Sequence, residues 1–258
     1  MDLPDILPLS DIETYPFPQP KRPTAWYRVG QVTVNILKHL LYQWDVAYHA
    51  PMPFGAKLLV SNHPTTVDPI LMTALVPEQM SILITEVLFK VPVVGASLRK
   101  CQHIRVDRGA GRAALAQGVQ MLAAGGTLGI YPEGIVSPAE GGLAHFHSGA
   151  ARLALESGAT VVPVGVAVQR EKIWRKNSNI DGQVEPSSWY TGGIYALTIG
   201  QPLTFSGSVD DHERVRQVTA ELAGQILELS LESAHRLALA RKHRPIFIVR
   251  WLRPVFAR

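Results

Sequence analysis

The sequence predicts an α/β fold with a mixed, mostly parallel sheet that is covered by helices on both faces. Short apolar runs of strand length alternate with longer segments of helical periodicity, which is typical of sheets built from strand–helix–strand units. Of the 258 residues, 47% are hydrophobic and 18% are charged, so the chain can bury a large core. We therefore expect one main α/β domain, preceded by an N-terminal amphipathic helix.

The first 50 residues are predicted to form two segments. Residues 1–24 contain six prolines, a density that favours an extended arm over a helix or a paired strand. Residues 25–50 are predicted to form one amphipathic helix, because apolar positions from Val29 to Trp44 recur at helical spacing. This helix either packs on the core or lies in a membrane interface.

The main domain is predicted over residues 51–243. Its strands are 57–61, 80–85, 101–106, 127–131, 160–167 and 194–200. Its helices are 66–75, 111–124, 147–157 and 211–241. The ends of these strands indicate where to expect candidate sites, because ligands of α/β sheets bind at the carboxyl ends of the strands.

The charge of the chain is uneven. The net charge is +4, but seven Lys and Arg residues follow Glu232, the last acidic residue, which leaves 18 basic against 21 acidic residues before them. The last part, residues 244–258, also carries aromatic side chains. This basic-aromatic C-terminal tail indicates either an anionic surface as its partner or a strap whose apolar residues pack on the domain.

No stretch of the sequence is predicted to cross a membrane. The two longest uncharged stretches, 113–132 and 186–209, are interrupted by glycine and by glutamine or proline. Acidic residues stand at Asp2 and Asp5, where a signal peptide would have basic ones. The single cysteine, Cys101, can form no internal disulfide. We expect a cytoplasmic protein that is soluble or peripheral to a membrane.

The most informative segment is residues 61–69, at the end of a predicted strand. His63 and Asp68 are five residues apart, so a turn after Pro64 allows the carboxylate to fold back under the imidazole. A carboxylate that holds one ring nitrogen leaves the other free to accept a proton. The alternative is that Asp68 only stabilises the start of a helix.

Two other strands end in charged groups at the same predicted edge. Glu133 follows residues 127–131 in a Pro/Gly turn and is either a substrate contact or a solvated glutamate. Arg108 follows the strand at 101–106 and either binds an anionic substrate or pairs with Asp107 at the surface.

Together and in this order, these segments resemble the lysophospholipid acyltransferases, the 1-acylglycerol-3-phosphate O-acyltransferase family. The matching positions are Asn62, His63 and Asp68 in the first motif, 106–108 in the second, 131–134 and Ser137 in the third, and 161–163 in the fourth. The resemblance covers about residues 58–168.

The resemblance implies transfer of a fatty acyl group from acyl-CoA or acyl carrier protein to a hydroxyl of a lysophospholipid or a related glycerolipid. His63 would act as the general base and Asp68 would orient it, with no metal and no cofactor besides the acyl donor. Arg108, Glu133 and Gly134 occupy acceptor-binding positions of the family. From the N-terminal helix and the basic tail we expect peripheral association with the inner face of the membrane, and no nucleic-acid partner.

The third motif departs from the family pattern. Ile135 and Val136 stand where the family usually has Thr-Arg, so a cation that would face the acceptor phosphate is missing. Arg105 stands where an aromatic residue or proline is usual, and it is a possible replacement. Side chains alternate along a strand, however, so Arg105 and Arg108 should point apart unless the strand ends between them. These departures question lysophosphatidate as the acceptor and leave acyl transfer intact.

Other classes of protein are less well supported by the residues. His103, His145 and His147 suggest a metal site, but a His-x-His pair with no nearby acid or cysteine is a weak signal, and solvated or capping histidines are the more common case. The Gly-x-Ser-x-Gly elbow of a serine hydrolase is absent from the sequence. A non-catalytic lipid-binding or scaffold protein that keeps the acyltransferase fold is the remaining alternative.

Overall fold

The structure is a computed structural model that describes residues 23–180 and 183–242. The predicted basic-aromatic tail and residues 1–22 of the predicted Pro-rich arm lie outside the described residues. The bounds of the described helices and strands follow in chain order. They are α1 (Ala25–Leu41), β1 (Tyr42–Tyr48), β2 (Lys57–Ser61), α2 (Asp68–Met72), β3 (Met80–Thr85), α3 (Glu86–Lys90), α4 (Val94–Lys100), β4 (Ile104–Val106), α5 (Gly111–Ala123), β5 (Thr127–Ile130), α6 (Gly149–Ser157), β6 (Thr160–Val168), β7 (Ile173–Ile180), β8 (Gln183–Tyr190), β9 (Gly193–Ile199) and α7 (His212–Lys242).

Seven strands form one sheet in the order β1-β9-β6-β2-β5-β3-β4. Every neighbouring pair is parallel except β6 and β9. The predicted mixed, mostly parallel α/β sheet is therefore confirmed. Because β2, β5, β3 and β4 run in the same direction, their carboxyl ends meet at one edge of the sheet.

Helices cover both faces of this sheet. Side chains alternate along each strand, so Leu58 and Val60 enter a core cluster with α5, α6 and α7, while Leu59 enters a second cluster with α2. Strand β2 is fully buried between the two clusters, as expected for a central parallel strand. This burial gives the loop that follows β2 a rigid support.

The N-terminal helix is shorter than the sequence predicts. Helix α1 begins after Thr24, whose hydroxyl accepts a hydrogen bond of 3.2 Å from the backbone N of Tyr27. The prediction that residues 25–50 form one helix is wrong for 42–48, which form β1 and pair in parallel with β9. Tyr42, Trp44 and Val46 alternate towards the core, and this period of two overlaps the helical spacing of the residues before them.

A separate two-stranded hairpin of β7 and β8 interrupts the main domain after β6. The sequence prediction missed it, because its strands are rich in serine and asparagine and carry no apolar run. Ser188 of β8 makes two backbone contacts of 2.8 Å with Thr66: its N donates to Oγ1, and its O accepts from the Thr66 N. The hairpin is therefore attached to the segment between β2 and α2.

Candidate active site

His63 and Asp68 form a pair at the carboxyl edge of the sheet. The side chain of Asn62 bonds the backbone N and O of Val166 at 2.7 and 2.9 Å, which fixes the chain where it leaves β2. His63 follows, and its Nδ1 lies 3.0 Å from Oδ2 of Asp68, the first residue of α2. Asp68 is fully buried, whereas the His63 side chain is 16% exposed. Because Asp68 holds Nδ1, Nε2 is the nitrogen left for a substrate.

The Asp68 carboxylate accepts four hydrogen bonds. Besides His63, Thr65 donates from its backbone N at 2.6 Å and from Oγ1 at 2.5 Å, and the Tyr195 hydroxyl donates at 2.6 Å. Such donors stabilise a buried carboxylate without a cation. Burial, reinforced by the adjacent Asp68, raises the pKa of Tyr195, so its hydroxyl stays protonated and remains a donor.

Sequence reasoning missed Tyr195, which lies in β9, more than a hundred residues from the motif that it supports. Its ring stacks on Trp44 of β1, with the ring centroids 5.3 Å apart. A tyrosine within an apolar strand usually indicates core packing. The sequence contains no local signal that Tyr195 bonds Asp68, because that contact depends on the antiparallel placement of β9 beside β6.

Tyr131 supports the imidazole from its face. The rings of His63 and Tyr131 are 4.4 Å apart, centroid to centroid, with an angle of 31° between their planes. The Tyr131 hydroxyl is buried and has no hydrogen-bond partner among the described residues. Burial, followed by the negative charge of Asp68, raises the pKa of Tyr131. The hydroxyls of Tyr131 and Tyr195 therefore differ: only the Tyr195 hydroxyl is bonded to the carboxylate.

Glu133 holds the backbone of His63. It is 1% exposed, and its carboxylate accepts hydrogen bonds from the backbone N of His63 at 2.8 Å, the Ser137 hydroxyl at 2.7 Å and the backbone N of Ala144 at 2.6 Å. The Ser137 backbone N donates to the His63 carbonyl at 2.7 Å. Both Glu133 oxygens are thus occupied by the chain itself, and the role that this geometry supports is positioning of His63 rather than the acceptor contact expected from the sequence.

The other predicted acceptor residues lie farther out. Gly134 is exposed and has a φ of +67°, a left-handed conformation that favours glycine in this turn. Arg108 is exposed after β4, which is three strands from β2, or roughly 14 Å at the usual strand spacing. Among the described residues Arg108 makes no ion pair. Its acceptor-binding role stays a prediction.

The possible replacement cation at Arg105 is already paired. Its Nε lies 2.8 Å from Oδ1 of Asp107, so Asp107 pairs with Arg105 and not with Arg108. Strand β4 ends at Val106, between the two arginines, so strand alternation does not set their relative directions. Val136 is half-buried and Ile135 is exposed in the loop after β5. The third motif itself therefore offers no cation.

The three histidines of the metal hypothesis do not form a site. His103 accepts a hydrogen bond of 3.1 Å from the backbone N of Ile82, and burial lowers its pKa to about 4. His145 and His147 contact each other edge to face. Within residues 23–180 and 183–242 no group of three His, Cys, Asp or Glu side chains is arranged to hold a metal ion.

A buried carboxylate that holds one nitrogen of an imidazole at the carboxyl edge of an α/β sheet leaves the other nitrogen able to accept a proton. Residues 49–167 match the family model named Acyltransferase. The resemblance drawn from the four motifs is thereby confirmed for this range: residues 49–167 form an acyltransferase domain, and the prediction of an O-acyltransferase is confirmed.

A solved structure has the same fold. It is the 1-acyl-sn-glycerophosphate (LPA) acyltransferase PlsC from Thermotoga maritima, which is 21% identical, with a TM-score of 0.51 over 78% of this chain and 77% of the other. A sequence comparison with curated proteins gives no match. The family match ends at residue 167, so β7, β8, β9 and α7 lie beyond it.

Proposed function

We propose that the protein transfers a fatty acyl group from a thioester donor, acyl-CoA or acyl carrier protein, to a hydroxyl of a lysophospholipid or a related glycerolipid. The observation that carries the proposal is the contact of 3.0 Å between His63 Nδ1 and the buried Asp68, in a chain with an acyltransferase domain. The name of the structurally similar PlsC supports a glycerolipid acceptor.

In the proposed reaction, His63 is the proton acceptor and Asp68 keeps its ring in place. The acceptor hydroxyl gives its proton to Nε2 of His63 as its oxygen attacks the thioester carbonyl. The tetrahedral intermediate then collapses, the carbon–sulfur bond breaks, and the departing sulfur takes the proton from the imidazolium. The four hydrogen bonds that the Asp68 carboxylate accepts fix its position beside the ring.

General-base catalysis accounts for only part of the rate. A positioned base contributes about 10² to 10⁴-fold, so alignment of donor and acceptor and stabilisation of the oxyanion must supply the rest. The hydrogen bonds of Glu133 and Ser137 to the His63 backbone serve the alignment, since they fix the base before the substrate arrives. No covalent acyl-enzyme is needed.

Release of free thiol from purified protein tests this function. The protein is mixed with acyl-CoA and, separately, with an acyl carrier protein thioester, in the presence of a panel of lysolipids. We expect thiol release that depends on both donor and acceptor, with the acylated lipid as the second product. Binding of these lipids without thiol release would support the non-catalytic alternative instead.

We also propose that the protein binds the inner face of the cytoplasmic membrane peripherally through α1. Apolar side chains along one half of this helix are exposed: Trp26, Val29, Val32, Ile36, Leu37, Leu40 and Leu41. The sequence of α1 contains no acidic residue, which suits an anionic lipid surface. Within the described part of the chain, none of the helices combines the length and the hydropathy that a membrane span requires.

A further inference from the structure

A groove of about 260 Å³ opens beside the candidate active site. Its lining includes Asn62 and Pro64, the two neighbours of His63, and Ser137 of the third motif. The end of β6 and one face of α7 complete it. The volume is slightly below the usual range for ligand pockets, about 300 to 1,000 Å³, and suits the headgroup of a lipid rather than a whole lipid.

Two arginines without a carboxylate partner among the described residues line this groove. Arg170 follows β6 and donates from Nη1 to the carbonyl of Glu140. Its guanidinium lies against Gly141, where a Cβ would occupy the space of the guanidinium group. Gly141 has a φ of +96°, so glycine is favoured here by both conformation and space.

The second arginine, Arg175, belongs to the β7–β8 hairpin. Its register partner is Ser188, the residue that bonds Thr66 three positions after His63. Two independent features thus place Arg175 beside the segment between β2 and α2 that contains His63. They are the strand register and the shared lining of the groove. Arg175 is exposed, and it makes no side-chain hydrogen bond or ion pair within the described residues.

The opposite wall of the groove is apolar. Leu227 and Leu231 of α7 line it and are 38% and 60% exposed. A third arginine of the lining, Arg241, is neutralised by Glu171 at 2.8 Å. The groove therefore joins an apolar wall to two available cations, which is the chemistry that recognises an amphiphile with an anionic head.

We propose that Arg170 and Arg175 bind a substrate phosphate in this groove and replace the cation that is missing at Val136. This inference rests on the proposed acyl transfer. Both arginines lie beyond residue 167, outside the segment that matches the acyltransferase family model. The phosphate belongs either to the lysolipid acceptor or to the CoA donor, and the experiment below separates these two sources.

The first arm of the test measures binding alone. Lysophosphatidate below its micellar concentration and CoA are each titrated into His63→Ala and into His63→Ala/Arg175→Gln. Loss of one charge-assisted contact should weaken binding of the relevant phosphate ligand about ten- to a hundredfold. Lys176→Gln is the matched control, because it removes the same charge from the next residue of β7, on the opposite face of the hairpin.

The second arm measures turnover. If the acceptor phosphate binds here, Arg175→Gln and Arg170→Gln raise KM for lysophosphatidate and not for monoacylglycerol with the same chain. If the donor phosphate binds here, both variants raise KM for acyl-CoA and not for an acyl-pantetheine without phosphate. Arg175→Lys should lie between wild type and Arg175→Gln, because lysine keeps the charge but cannot bind in a bidentate manner.

Either pattern supports the proposal. Equal effects of Arg175→Gln and Lys176→Gln in every assay would overturn it, and so would failure of the His63→Ala parent to bind both lysophosphatidate and CoA. The binding arm needs no turnover. Absence of thiol release from the wild-type protein would therefore count against the proposed function, while the titrations would still decide whether Arg175 binds a phosphate.

Discussion

Two parts of the chain build the site in different ways. Residues 49–167, which match the acyltransferase family model, contain the His63–Asp68 pair and the Glu133 contacts that hold it. The segments outside this range provide the surroundings: the apolar face of α1, the cations of the groove, and the Tyr195 hydroxyl on Asp68. We therefore expect the chemistry to reside mainly in the first part, supported by Tyr195 from the second, and we expect substrate selection and membrane contact to reside in the second part.

Substitutions within the His63–Asp68 pair should have the largest effect, and it should not depend on the lipid offered. His63→Ala removes the base and should lower kcat about 10² to 10⁴-fold with every acceptor. Asp68→Asn leaves a larger residual activity, since it disturbs only the orientation of the ring. Thiol release measures both, and His212→Ala is the control, because His212 is exposed at the start of α7. An effect restricted to one acceptor would contradict the expectation that this pair carries the chemistry and that other residues select the substrate.

The α1 surface should affect membrane binding and not chemistry. Ile36→Glu/Leu40→Glu places two carboxylates on the exposed apolar face, where each large side chain contributes about 1.5 to 3 kcal/mol if it enters lipid. We expect about a hundredfold weaker binding to anionic vesicles in flotation assays, with unchanged turnover of a dispersed short-chain lysolipid.

His39→Glu is the matched control for the α1 prediction, because His39 is exposed beside Leu40 but outside the apolar half of the helix. Unchanged vesicle binding of the double variant would show that this face packs against something other than lipid.

Tyr195 is the residue outside the family match that should affect chemistry. Tyr195→Phe removes one hydrogen-bond donor to the buried Asp68 and leaves the volume of the side chain at position 195 almost unchanged. A hydrogen bond to a charged group contributes about 1.5 to 3 kcal/mol, so we expect kcat to fall roughly tenfold or more while KM stays constant.

Tyr131→Phe is the matched control, since it removes a buried hydroxyl that has no partner among the described residues. It should keep kcat and raise the Tm slightly, because an unsatisfied buried hydroxyl destabilises the fold. Equal losses in kcat from both tyrosine variants would mean that the bond to Asp68 has no special role.

The smallest expected effect concerns the third motif. Val136→Arg restores the arginine that is usual in the family, and a new phosphate contact would raise kcat/KM for lysophosphatidate more than for a lysolipid with an uncharged head. When Val136→Arg is introduced into the Arg175→Gln variant, we expect the gain in kcat/KM to reach about tenfold. In the wild type we expect a smaller gain, because Arg170 and Arg175 of the groove already supply cations. Equal gains in both backgrounds, or equal gains for both lysolipids, would contradict this relation between the two parts of the chain.

The sequence was most informative where an apolar strand delivers a polar residue to the edge of the sheet. Strands β2 and β3 have the predicted bounds, and His63 meets Asp68 as the spacing indicated. The prediction of a helix was wrong for β1, because the aromatic residues of this strand fit both a period of two and the helical pattern before it.

Contacts between distant segments were not predictable in this way. Glu133 follows a strand as expected, but only the folded loop shows that its oxygens bond the His63 and Ala144 backbones. Tyr195 and Arg175 reach the site through strand register, which depends on pairing across the fold and not on any local pattern.

The central claim, that His63 is the proton acceptor, is tested most directly by chemical rescue. Thiol release by folded His63→Gly is measured with acyl donor and lysolipid over a series of imidazole concentrations, and the rate without protein is subtracted. We predict a large loss of activity that imidazole partly restores in an acceptor-dependent manner, because the His63 side chain is partly exposed and its vacated position can be reached from solvent. Near-normal turnover of His63→Gly without imidazole would contradict the account.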